Sequence, residues 1–254
     1  RRPTSLHYRR ILWLFVIGML HAYLFWYGDI LVAYALCGAA AFAARKLPPR
    51  RLLITGLILI AVPSILYLLA GWSMRFWGTE SIEGIKAAWK PGTDLIEKEI
   101  SAYQRVWSEQ MTQRVPGTFW FQTFLFLTLT AWRAGGLMLV GMALLKWNIL
   151  TAERTSRFYG TMVSVGLGIG VPVIVAGIIS NFTADWAAEY SMFLGSQYNY
   201  WGSLFLSLAY IGIVMLLCKS KSLPGLRHRF AAVGRTALSN YLLHTLICTT
   251  LFYG

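Results

Sequence analysis

The sequence predicts an all-α fold, a polytopic integral-membrane helical bundle, and three observations carry that prediction. The 254 residues are 57% hydrophobic and only 13% charged, far oilier relative to charge than a soluble domain. The apolar residues fall into seven long runs, and a spanning helix needs about 20 such residues. The Lys and Arg residues gather in alternate connections between those runs, as they do when positive charge is retained on the cytoplasmic side. The 11 Trp, 13 Tyr and 14 Phe agree, since aromatic rings favour the membrane boundary. A net charge of +13 raises nucleic acid as a partner. That reading needs basic residues on a soluble face with interleaved aromatics, and here they sit in short loops. The expected partner is the lipid bilayer, with no nucleic acid.

The runs are 11–27, 30–44, 52–72, 117–145, 158–181, 201–218 and 231–253. The second is short, so the first two are expected to form a tight hairpin, tilted or partly re-entrant. Leu47-Pro48-Pro49 separates the second run from the third, and Pro224-Gly225 precedes the last. Pro63 and Pro172 lie inside runs, where neighbouring helices can satisfy the freed carbonyls. Alternation of the connections puts 16 of the 23 Lys and Arg residues on one side with a single acid, Glu153. The other side holds six basic and nine acidic residues. The basic loops, 146–157 and 219–229 among them, are expected to be cytoplasmic, and the Gly28-Asp29 turn to face outward. The chain reads as a single transmembrane domain, 1–254, and as trimmed at both ends. It opens on Arg1-Arg2 without a methionine and stops inside an apolar run at Gly254.

Residues 73–116 differ, with six acids and six bases. Asp94 and Glu97 have capping-box spacing. Ile96, Ile100, Tyr103, Trp107 and Met111 then recur at helical intervals, which predicts one extracytoplasmic amphipathic helix over about 94–112. It is expected to lie on the membrane surface or to cover an outward-facing site.

Candidate chemistry follows from the cost of charge in lipid, about 2.5–3.5 kcal/mol for an arginine at mid-membrane on insertion scales. Arg133 lies well inside the fourth run, and His21 and His244 fall near the same depth. Asn240 and His244 are four apart and share a helix face; Tyr241 flanks them. A neutral histidine beside a cation or carboxylate suits general-base work, and Asp29 could orient it from the outer rim. The three cysteines, Cys37, Cys218 and Cys248, show no metal or disulfide spacing, and no metal site is expected. Gly166-Leu167-Gly168-Ile169-Gly170 lacks the preceding strand and full spacing of a dinucleotide loop. Gly166 and Gly170, four apart, instead suit close helix packing.

Three ordered stretches carry a resemblance: "LHAYLFWYGDIL" from Leu20, "GLMLVGMAL" from Gly136 and "AAVGRTALSNYLLHTLIC" from Ala231. Together they resemble the YeiB-like bacterial inner-membrane family, a domain of unknown function. Matching positions are His21, Trp26, Gly28 and Asp29, then Arg133, Gly136, Gly141 and Met142, then Gly234, Arg235, Leu238, Asn240 and Tyr241. Family members usually carry glutamine where this chain has His244, which leaves His21 as the better base. The family is similar to the wider group of transmembrane acyltransferases. That resemblance implies transfer of an acyl group from cytosolic acyl-CoA, as co-substrate, to an extracytoplasmic small-molecule or glycan acceptor, with no tightly bound cofactor. His21 is then the expected base, oriented by Asp29. Arg133 and Asn240 would stabilise the oxyanion, and Arg235 would hold an acyl-CoA phosphate. The rival reading is a transporter or exporter of a small anionic solute, and a third is a noncatalytic membrane assembly partner.

Overall fold

The computed structural model describes residues 3–220 and 224–253. Among them the chain is 87% helix and contains no strand. Helices α1 (Pro3–Leu24) and α2 (Leu31–Ala41) are followed by a 3₁₀ turn and α3 (Pro49–Ser73). Next come α4 (Thr79–Trp89), α5 (Thr93–Tyr103) and α6 (Trp107–Trp120). A π-helical stretch, Phe121–Thr130, joins α6 to α7 (Ala131–Lys146). Helix α8 (Ser156–Thr183), the short α9 (Ala188–Tyr190) with a π turn, and α10 (Ser196–Lys219) follow. Helices α11 (Pro224–Arg235) and α12 (Ala237–Tyr253) complete the order. Of the stretch 219–229 read as a basic loop, the part from Pro224 is helical; residues 221–223, like Arg1, Arg2 and Gly254, lie outside the described residues.

Each apolar run coincides with helix, but the runs are not equivalent. Among the described residues, four helical stretches are long and apolar enough to cross a membrane: Pro49–Phe76, Trp107–Lys146, Ser156–Thr183 and Ala188–Lys219. Helix α1 has 22 residues but includes Arg9 and Arg10, and α12 has 17. At 11 residues, α2 extends about 16 Å, roughly half of a hydrocarbon core. Pro63 and Pro172 sit inside α3 and α8 as expected.

Contacts divide the chain into two compact units. The first comprises Arg1–Ile60, Thr93–Ala143 and Phe230–Gly254. Here α1 and α2 form the expected hairpin, so tight that a Cβ on Gly18 would lie 2.8 Å from the Val32 nitrogen. Gly56 on α3 and Gly136 on α7 face each other at another close crossing, where a Cβ on either would come within 2.7 Å of the other's carbonyl oxygen. The second unit comprises Ala61–Gly92 and Leu144–Arg229. Its spine is the α8–α10 pair. Gly166 packs on the backbone of Phe205 and Ala209, and Gly170 on that of Leu206 and Gly202, as the four-residue spacing predicts. Ser64 donates to Gln197 at 2.6 Å and accepts from the Trp201 indole at 3.0 Å, a polar tie inside an otherwise oily unit.

The amphipathic segment corrects the expectation of one helix over 94–112. It breaks at Gln104–Val106 into α5 and α6. The reason is Gln110, whose amide donates to the Tyr103 and Arg105 carbonyls at 2.7 and 2.8 Å and so holds the corner. The apolar stripe is only partly covered by protein: Ile96, Ile100 and Trp107 are exposed, and Tyr103 and Met111 are half-buried. Gln110, Arg114 and Thr118, four apart on α6, are the buried face.

Substituting Gly166→Ala should force α8 and α10 apart, at about 1–3 kcal/mol for overpacking. Gly168→Ala, where a Cβ meets nothing within 4 Å, is the control. Thermal unfolding in detergent should show a lower Tm for the first and an unchanged or slightly raised one for the second, since alanine is the better helix former.

Candidate functional site

The His21 side of the first unit is built on the end of α1. Its last turn closes with Phe25 and Trp26 donating their N–H groups to the His21 carbonyl, both at 3.0 Å. The chain then turns through Tyr27-Gly28 and delivers Asp29 just ahead of α2. A helix start leaves its first N–H groups unsatisfied. One Asp29 oxygen accepts from Leu31 and Val32 at 2.8 and 3.2 Å, so the carboxylate sits where the helix dipole favours negative charge.

The other Asp29 oxygen is 2.9 Å from His21 Nδ1 and accepts from the Tyr241 hydroxyl at 3.2 Å. His21 is 3% exposed and Asp29 1%. Three fixed donors, the Leu31 and Val32 N–H groups and the Tyr241 hydroxyl, suit the ionised, acceptor-only form of the carboxylate that faces the ring. The ring proton of His21 therefore sits on Nδ1, and Nε2 carries the lone pair when the ring is neutral. Nε2 is buried and has no hydrogen-bond partner among the described residues. The Tyr241 ring stands 5.1 Å from that of His21, centroid to centroid. On another side of Asp29 lies a cavity of about 10 Å³ lined by Gln122, Phe126 and Thr130 of the π-helical stretch, a volume at the lower limit for one water.

The dyad expected from the sequence, His21 with Asp29, is thus brought together. Its α12 partner is Tyr241 rather than Asn240. The two are adjacent in sequence and so about 100° apart around the helix axis. Asn240 is exposed and donates to Thr236 at 3.1 Å. Arg133 is half-buried in the first turn of α7 with interactions of its own, and it is not among the hydrogen-bond partners of His21 or Asp29. Arg235 is exposed at the end of α11. His244 is exposed and lines a cleft of about 320 Å³ with Trp26, Thr245, Cys248 and Phe252.

Sequence reasoning missed the clamp behind this turn. Arg114, 4% exposed, donates to the Leu24 and Phe25 carbonyls at 2.9 and 2.7 Å and to Gln110 at 2.6 Å. Thr118 donates to Ala22, and the Trp107 indole to Leu24. A cation at a helix C-terminus meets both free carbonyls and the negative end of the dipole. The available signal was the spacing Gln110-Arg114-Thr118, a polar face on a helix otherwise read by its apolar residues.

Two comparisons with known proteins place the chain. Residues 144–254 match the family described as "Protein of unknown function (DUF418)". The chain is 31% identical over 252 residues to the uncharacterized protein YeiB of Escherichia coli (strain K12), covering 96% of this chain and 62% of that protein. It is 26% identical over 264 residues to the uncharacterized protein YxaH of Bacillus subtilis (strain 168), covering 100% and 60%. The chain therefore spans less than two thirds of the length of the curated relatives it matches. No solved structure matches it. The family match and the likeness to YeiB and YxaH together support a YeiB-like family for this chain.

Replacing Arg114 with Met should strand the Leu24 and Phe25 carbonyls. A loss of about 1–3 kcal/mol is expected, read as a lower Tm. Faster proteolysis at Gln104–Val106 should accompany it, because Gln110 loses its own anchor.

Proposed function

We propose that this YeiB-like protein is a transmembrane acyltransferase, with His21 as the base that activates the acceptor. The observation that carries the reading is the buried His21 Nε2, unpartnered while Asp29 takes the opposite ring nitrogen. That is the arrangement of a base held in one tautomer with its lone pair free. The acceptor hydroxyl or amine gives its proton to Nε2 as its oxygen or nitrogen attacks the thioester carbonyl of acyl-CoA. The carbon–sulfur bond then breaks, and the departing CoA thiolate takes the proton from His21. Asp29 stabilises the imidazolium formed between those steps. Arg133 is the residue we assign to the oxyanion, where a fixed donor in a dry site contributes most. Asn240, expected beside Arg133 at the oxyanion, is exposed, and the α12 residue that reaches the His21–Asp29 pair is Tyr241, which holds Asp29.

In the same reading all seven apolar runs, α1, α2 and α12 included, are membrane segments of a bacterial inner-membrane protein. The basic loops lie in the cytoplasm, and Gly28-Asp29 opens outward. The donor then arrives from the basic side and the acceptor from the other.

The decisive assay supplies full-length protein with labelled acetyl-CoA and a panel of envelope glycans. His21→Ala and Asp29→Asn should each lower transfer by about a hundredfold or more without loss of membrane insertion, and Arg133→Ala should lower it too. His244→Gln should keep activity. Full transfer by His21→Ala removes it as the base, and solute flux without any transfer selects a transporter. Topology has its own check: a cysteine at Glu97 should label from outside intact cells and one at Arg227 only after permeabilisation. Labelling of both from one side would overturn the orientation.

A further inference from the structure

We infer that a groove between α1 and the start of α12 binds the phosphate-bearing end and linear arm of the acyl-CoA donor, with Arg9 and Arg10 at its mouth. The inference rests on the reading of His21 as the base for acyl transfer. Its observations are separate. The groove encloses about 550 Å³ and is lined by Arg9, Arg10, Trp13, Leu14, Ile17 and Leu238, among others. Both arginines are exposed and neither pairs with a carboxylate among the described residues. Among the described residues no acid lines the groove. Two free guanidinium groups above an apolar wall are complementary to a phosphorylated amphiphile, because Arg binds phosphate through paired N–H donors.

Direction distinguishes this groove from a generic lipid-facing furrow. Leu6, Arg10, Leu14, Ile17 and His21 recur at four, four, three and four residues, so they form one stripe on α1. Ile17 is one turn below His21, and on α12 Leu238 is one turn before Tyr241. The two helices that wall the groove are therefore the two that carry His21 and the hydroxyl on its aspartate. From Arg10 to His21 the rise is about 16 Å. A ligand held by phosphate at one end needs a long unbranched arm to present its reacting group at the other. Acyl-CoA has that build: phosphates, a linear pantetheine arm and a terminal thioester. Arg235, three residues before Leu238, lies near the same end in sequence and would add a third cation.

The test is equilibrium binding of a CoA thioether that cannot transfer its acyl chain, to full-length protein in neutral detergent. Arg9→Gln with Arg10→Gln should weaken binding about tenfold or more, the loss expected for charge-assisted phosphate contacts. Ile17→Trp, which fills the groove without touching its charge, should weaken it as well. Arg50→Gln with Arg51→Gln, removing equal charge elsewhere, should leave Kd within about twofold. Unchanged melting and elution profiles exclude misfolding as the cause. Wild-type binding by the Arg9/Arg10 variant overturns the proposal, as does an equal loss in the Arg50/Arg51 variant, which would mean diffuse attraction. Displacement of the thioether by phosphatidylglycerol but not phosphatidylcholine nanodiscs, with phosphatidylglycerol bound more tightly, would make the groove a lipid site and overturn it too. If His21→Ala retains transfer, the base assignment fails while the groove, read by the Arg9/Arg10 and Arg50/Arg51 variants, stands.

Discussion

One carboxylate ties three elements of the first unit together. Asp29 is buried, and a buried charge is tolerated only when its lone pairs are filled. They are filled from three directions: by the imidazole at the end of α1, by the first N–H groups of α2 and by the Tyr241 hydroxyl from α12. Each contact is ordinary alone. Together they make the α1–α2 turn, the start of α2 and the position of α12 mutually dependent. The orientation of His21 is a by-product of that dependence, since the ring can satisfy Asp29 only by turning its other nitrogen away. Arg114 serves the same turn from behind, by tying the carbonyl end of α1 to α6.

Much of this was legible in the residues. Long apolar runs and punctuating prolines locate α1, α2, α3, α7, α8, α10 and α12, because lipid leaves the backbone no alternative to internal hydrogen bonds. The His21–Asp29 pair was legible for the same reason, since neither belongs in an oily run without the other. The glycines at 166 and 170 pack as their spacing requires. What was hidden depends on contacts distant in sequence. The corner at Gln104–Val106 exists because Gln110 reaches back to it, and no local propensity announces that. Choosing between Asn240 and Tyr241 needs the rotation of α12, which periodicity alone does not supply. Number of spans is harder still, for α2 is helical and apolar yet only half as long as a bilayer core.

Helix α6 inverts the rule used for soluble proteins. Its docked face is polar, while Trp107, Val115, Phe119 and Trp120 stay uncovered beside Glu109 and Gln113, so the usual reading of amphipathicity points the wrong way. The inversion is physical. Where lipid takes the place of water, apolar side chains gain little from facing protein, and hydrogen bonds between helices supply specificity. Arg114, Gln110 and Thr118 use that currency on the last carbonyls of α1.

The π-helical stretch Phe121–Thr130 has a consequence of another kind. Hydrogen bonds there reach five residues rather than four, and Thr123, Thr128 and Trp132 donate to carbonyls four or five residues back. Each wide turn holds more residues than an α turn, so the face presented by α7 lags behind the one that a uniform helical wheel drawn from α6 would assign. The stretch therefore acts as a phase shifter between Arg114 and Arg133. Loss of a single residue within it can be absorbed by tightening one turn back to α geometry, which leaves both flanking faces in register. In related chains of different length, this is the place where a one-residue gap would do least harm.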